Sequence, residues 1–152
     1  MISGMPIAED YMISIIGQQM INNQEDEVAL TAFGEYKKNG DKAVISYYEY
    51  DNDDPSIKKI VEIEIEPNRM IMTKRGGFAP SQLILEKGKR HLCYYATDLG
   101  NFMMGINTDS LDVEMHKDTM QASASYTIDV NSNIVSSNKL AFGLRLKKSC
   151  KD

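Results

Sequence analysis

The stretch Thr119-Met120-Gln121-Ala122-Ser123-Ala124-Ser125-Tyr126-Thr127-Ile128-Asp129-Val130 alternates polar and apolar residues without interruption. Side chains on a strand repeat every two residues, so this pattern predicts a strand. Met120, Ala122, Ala124, Tyr126, Ile128 and Val130 would form its dry face, and Thr119 through Asp129 its wet one. The same period recurs on both sides. Leu140, Phe142, Leu144 and Leu146 alternate with Lys139, Ala141, Gly143, Arg145 and Lys147, and Val61, Ile63 and Ile65 oppose Glu62, Glu64 and Glu66.

Further strands are expected over Tyr11 to Met20, Val28 to Tyr36, Lys42 to Tyr50, Arg69 to Arg75, Ser81 to Glu86 and His91 to Thr97. Phe102 to Thr108 and Leu111 to His116 read as one long strand with a bulge or as two short ones. Turn signals separate them: Asn22 to Asp26, Asn39-Gly40, Asp51 to Pro55, Pro67-Asn68, Gly76-Gly77 with Pro80, Lys87-Gly88-Lys89, Asp98-Leu99-Gly100 and Asn131-Ser132-Asn133. Asn39-Gly40 is the strongest hairpin signal, because both positions of a type I′ turn need positive φ. Helix is expected only as a turn near Met5 to Asp10.

Strands spaced by about 8–12 residues belong to sandwiches and barrels. Short links make sequential strands antiparallel neighbours, and closure removes the sheet edges. The expected fold is an all-β antiparallel meander closing into a barrel of about 8–10 strands. A single domain over 1–152 is expected, since no repeat, linker or low-complexity tract divides the chain; 148–152 reads as a tail.

The 152 residues carry 17 Lys and Arg against 22 Asp and Glu, a net charge of −5. That balance counts against a nucleic-acid partner, whose binders carry a basic surface. No apolar run is long enough to span a bilayer as a helix, and the first residues lack the basic and apolar regions of a secretory signal. Cys93 and Cys150 have no CxxC neighbour and are too few for a cysteine-rich zinc site. A cytoplasmic protein with reduced thiols, no membrane contact and no cofactor is the simplest reading.

No motif carries chemistry. His91 and His116 lie at turns without metal-ligand spacing, and no GxSxG elbow is present. Glu62, Glu64 and Glu66 read as a solvated strand face. Arg75 beside Gly76-Gly77 stands out: an arginine at a strand end next to free backbone N–H groups can hold a carboxylate or phosphate. Arg145 falls on the polar face of the last strand and is expected outside. Tyr47-Tyr48 and Tyr94-Tyr95 each put one ring inside and one outside. Methionines such as Met103-Met104 and Met115 suit an adaptable apolar lining or plain core filling.

Gly34-Glu35-Tyr36, Ser46-Tyr47-Tyr48-Glu49, Met72-Thr73-Lys74-Arg75-Gly76, Thr97-Asp98-Leu99-Gly100 and Ala124-Ser125-Tyr126, in this order and spacing, resemble the DUF1934 family of small Firmicutes proteins. The resemblance covers Val28 to Leu146. It implies a calycin-like (lipocalin-like) β-barrel and no activity, since the family is defined by its unknown function. Gly34, Tyr48, Glu49, Arg75, Gly76, Thr97, Gly100 and Tyr126 match its recurrent pattern. Of these, Arg75, Tyr48, Glu49 and Thr97 are the candidates for ligand contact.

The expectation is therefore a non-enzymatic protein that binds one small, partly apolar and acidic ligand in the barrel. Tyr48, the methionines and Leu144 would form the apolar wall, and Arg75 would hold the acidic group. The alternative is a filled barrel that acts through its surface, as an interaction module or homodimer. A weaker alternative is an enzyme with Glu49 or His91 as base.

Overall fold

The computed structural model describes residues 6–50, 53–54, 56–76, 81–97 and 100–147, with the side chains of 94–102 excepted. Ten strands follow one another: β1 (Tyr11–Ile21), β2 (Gln24–Asn39), β3 (Lys42–Tyr50), β4 (Lys58–Glu66), β5 (Arg69–Arg75), β6 (Ser81–Glu86), β7 (Arg90–Thr97), β8 (Gly100–Met115), β9 (Thr119–Val130) and β10 (Asn133–Leu146). Each pairs antiparallel with the next, and β10 returns to β1 to close the barrel. The expected all-β meander is the observed fold. The ambiguous segment is one strand, β8, with its register shifting between Thr108 and Ser110. Residues 6–10 are not helical. Their backbone is used elsewhere: Ile7 N–H donates to the Tyr48 hydroxyl at 3.3 Å, and Asp10 C=O accepts from Lys147 N–H at 2.8 Å.

Turn chemistry differs from expectation in one place. The Asn39–Lys42 pair closes around Gly40-Asp41, and only Gly40 has positive φ, 66°. That is a glycine-first turn rather than a type I′ turn on Asn39-Gly40. Two consecutive positive φ angles occur instead at Asn22-Asn23 (50° and 65°) and at Asn131-Ser132 (52° and 70°).

The alternation read from sequence sorts side chains as period 2 demands. Ile13, Ile45, Ile63, Ile65, Met70, Leu85, Ile106 and Met120 are fully buried inside the barrel. Burying one such side chain contributes about 1.5–3 kcal/mol. On the outer face of β4 the glutamates each meet a cation: Glu62 with Arg75, Glu64 with Lys42, and Glu66 with Arg69.

The inner face of β9 holds Met120, Ala122 and Ala124 as expected, but burial no longer follows the alternation at its end, where Asp129 keeps its outward position opposite Gly105. Val130 is exposed and Asp129 is buried. The cause lies two strands away, on β7. Arg90 reaches across Gly105 and clamps the Asp129 carboxylate, Nε to Oδ2 at 3.0 Å and Nη2 to Oδ1 at 2.6 Å. A Cβ on Gly105 would collide with that guanidinium. Asp129 Oδ1 also accepts from Ser132 N–H at 3.2 Å, tying the clamp to the β9–β10 turn.

The rim where β1 begins is closed by aromatic side chains. Tyr11 and Tyr36 meet edge-on at 5.3 Å. Their hydroxyls donate to Asp118 Oδ1 at 3.2 Å and to His116 C=O at 3.0 Å, so the β8–β9 turn is pinned over that rim.

Candidate functional site

The other rim is built differently. Strands β3, β5 and β7 run in one direction in this meander, so their C-terminal ends share a rim. Tyr48, Glu49, Arg75 and Thr97 all lie there.

The opening begins at Gly34. This residue pairs with Tyr11 of β1 and with Tyr47 of β3. Residues of β2 before it pair with β1 alone, and residues after it pair with β3. The Ser46 carbonyl and the Tyr47 Cβ lie against Gly34 where a side chain would be. Beyond that contact β2 and β3 part. A cleft of about 330 Å³ opens between them, lined by Leu30, Ala32, Phe33, Tyr47, Tyr48 and Glu49. Its wall is mostly apolar.

Beside the cleft, the inner face of β3 to β5 carries charge, with Glu49 in the lining itself. Register sets Glu49 opposite Lys59, and Lys74 opposite Val61. Val61 is buried in the core, so Lys59 and Lys74 fall on the inner side with it. Lys74 Nζ stands 3.3 and 3.2 Å from the two Glu49 oxygens. Lys59 has no ion pair among the described residues. Burial, and then the Glu49 charge, push the Tyr47 phenol well above its usual range, so it stays a neutral hydroxyl.

The four expected contact residues separate here. Tyr48 and Glu49 line the cleft. Tyr48 lies on the outward side of β3, with the Lys58 ammonium 4.2 Å from its ring centroid and Tyr50 beside it. Arg75 turns away from the interior. It pairs with Ile60, an outward position, its Nη2 donates to Glu62 Oε1 at 2.7 Å, and its side chain is 53% exposed. Thr97 pairs through its backbone with Gly100. Its side chain lies outside the described residues, as do Tyr94, Tyr95, Cys150 and the Gly77 to Pro80 loop.

Sequence reasoning passed over Lys59 and Lys74. The signal was available: both continue the inward parity of Val61, Ile63 and Ile65 or of Met70 and Met72. It also passed over the polar residues inside the barrel, Thr108, Ser136 and Asn138.

The histidines lie apart from this rim. His91, at the start of β7, is 2.8 Å from Glu86. His116 follows β8 and approaches Glu114 at 3.6 Å. Among the described residues no three His, Cys, Asp or Glu side chains gather as metal ligands. Among the described residues no helix is long and apolar enough to cross a membrane.

The DUF1934 profile, described as a domain of unknown function, matches residues 13–142. The chain belongs to this family. Among solved structures the barrel is similar to the crystal structure of the ywiB protein from Bacillus subtilis. The TM-score is 0.78 at 12% identity, covering 92% of this chain and 93% of that one. At that identity the likeness concerns the fold. A search of curated proteins finds no match.

Proposed function

We propose that this DUF1934 member is a non-enzymatic binding protein, and that its ligand is a small amphipathic molecule bearing an acidic group. The observation that carries this reading is the parting of β2 and β3 after the Gly34–Tyr47 pair, which opens a largely apolar cleft beside two inward lysines. Apolar walls give affinity by burial, and a few placed polar groups fix orientation. Lys59, without an ion pair among the described residues, and Lys74, shared with Glu49, take the anchoring role that the sequence suggests for Arg75. A calycin-like or lipocalin-like use of the barrel is the same reading at the level of family analogy.

Several features favour binding over catalysis. The Glu49 carboxylate is already engaged by Lys74. His91, the alternative base, lies at the start of β7, on the opposite rim from the end of β3, so neither has the other as an acid partner. A general acid and base must reach the same reacting group.

The test uses anilinonaphthalene sulfonate as a fluorescent probe and decanoate as competitor. We expect decanoate to displace the dye, and Lys59→Gln with Lys74→Gln to weaken decanoate by about tenfold, the loss of one good charge contact. Arg75→Ala is expected to leave it unchanged. A decanoate affinity that drops with Arg75→Ala and not with the lysine pair overturns the assignment.

A second reading, a protein-interaction module or homodimer, is favoured by the outer face of β8, β9, β10 and β1. Short side chains such as Ser14, Ser123, Ala141 and Gly143 leave a hollow of about 470 Å³ there. A dimer mass in solution, with no binding of dye or decanoate, would support this reading over the first.

A further inference from the structure

Apart from the charged group on β3 to β5, the inner face of the barrel is largely apolar, and three polar residues on β8 to β10 fall in one row. Register sets Thr108 of β8 opposite Tyr126 of β9, and Tyr126 opposite Asn138 of β10. All three share the inward parity of the core residues around them.

Thr108 is 1% exposed, and its Oγ1 is the single buried side-chain polar atom without a hydrogen-bond partner among the described residues. Desolvation is the only cause acting on the Tyr126 phenol, whose pKa is raised, and no described residue bonds its hydroxyl. Asn138 is buried too, and its position is fixed. Its Nδ2 donates to Ser136 Oγ at 3.0 Å and to the Tyr126 carbonyl at 3.5 Å, which leaves the amide oxygen to accept.

Such a row is costly in an otherwise dry wall. A buried hydroxyl without a partner destabilises the fold, and valine would fill the same space without that cost. The inner face also leads outward from the row to the open rim. Next to Tyr126 stands Ile128, then the exposed Val130, and two and three strands away, on β1 and β2, Ile21 and Val28 keep the inward parity and are 43% and 68% exposed. These exposed apolar positions at the rim are the approach that a ligand reaching the row would use.

We propose that Thr108, Tyr126 and Asn138 form an inner recognition row for an uncharged hydrogen-bonding group on the ligand, a hydroxyl or primary amide. The inference rests on the rim-binding reading above and narrows it. The ligand class becomes an aliphatic carboxylate with a neutral polar group at a distance from its acid. The acid lies at Lys59 and Lys74, the chain lies along the apolar approach, and the neutral group reaches the row. Thr108 supplies a donor and an acceptor, Tyr126 a hydroxyl, and Asn138 a fixed carbonyl.

The experiment compares octanoate, decanoate and dodecanoate with their ω-hydroxy counterparts as displacers of anilinonaphthalene sulfonate from the full-length protein. At the best chain length the hydroxy acid is expected to bind about tenfold more tightly than the plain acid. That preference should vanish in Thr108→Val and shrink in Tyr126→Phe. The ligand-free Thr108→Val protein should melt higher than wild type, because an unpaired hydroxyl has been removed. Tyr126→Phe serves if the valine variant does not fold. If plain acids displace the dye and the hydroxy acids show no advantage, or an advantage both variants retain, the row is overturned and the rim site stands. A ligand-free Thr108→Val that melts lower, with the preference intact, assigns the hydroxyl to the fold and overturns it as well. If no acid displaces the dye, the rim reading fails and takes the row with it.

Discussion

Two glycines illustrate how much a missing side chain decides. Gly34 lets β2 press against the Ser46 carbonyl at the point where it changes partner, and the cleft starts there. Gly105 leaves the space through which Arg90 reaches Asp129. The clamp has a consequence for pH. Hydrogen bonds from Arg90 hold the Asp129 carboxyl below its ordinary 3.8. A carboxyl whose folded pKa is depressed contributes stability that is present above the unfolded pKa and lost as pH falls through the folded one. We therefore expect the urea midpoint of wild type to fall on acidification below about 4, the unfolded range for Asp. Asp129→Asn should start lower at neutral pH and lose less over the same acidic window. Parallel slopes for the two proteins would show that the clamp does not set the acid limb. Glu86, lowered mainly by its hydrogen bond to His91, titrates with the same sign and remains in both proteins as an internal reference.

Hairpins show which elements were legible in the sequence and which were not. Strand existence and facing were, because Val61, Ile63 and Ile65 cannot be placed inside without putting Glu62, Glu64 and Glu66 outside. Turn type was not. Asn39-Gly40 has the favoured composition for a type I′ turn, yet the register of β2 and β3 uses Gly40-Asp41. The true two-residue left-handed turns are at Asn22-Asn23 and Asn131-Ser132, where the flanking ladders dictate them. Strand ends were also illegible: Val28 keeps its inward parity but lies on a part of β2 that extends past the core. Ser132, at φ 70°, occupies a position suited to glycine. Ser132→Gly keeps the N–H that Asp129 accepts and relieves the left-handed strain, which costs an L-residue about 1–2 kcal/mol. It should raise the melting temperature by about 2–4 °C per kcal/mol recovered, as read by calorimetry. An unchanged or lower melting temperature would mean that the serine is not strained in the hairpin.

At the scale of the whole molecule, the barrel has one rim shut by Tyr11, Tyr36 and the β8–β9 turn and one left open between β2 and β3. The placement of Tyr48 and Glu49 at one rim was legible in the sequence, because strand direction follows from the meander. Arg75 faces outward and its neighbour Lys74 inward, and a one-residue step on a strand is the difference between outside and inside. Arg75 stood out by its neighbouring glycines, whereas Lys74 is distinguished only by parity with Met70 and Met72. Closure has a last consequence. Lys147 N–H donates to Asp10 C=O, so the two ends of the described barrel are held together like any other pair of neighbours. The seam between β1 and β10 is laddered like every other pair of strands in the ring. A chain joined across that seam by a short flexible linker and opened instead at Asn22-Asn23 should fold to the same barrel and keep its rim, as tested by circular dichroism and dye binding. Failure of that permutant to fold would mean that the β1–β2 turn organises assembly and does not merely connect two staves.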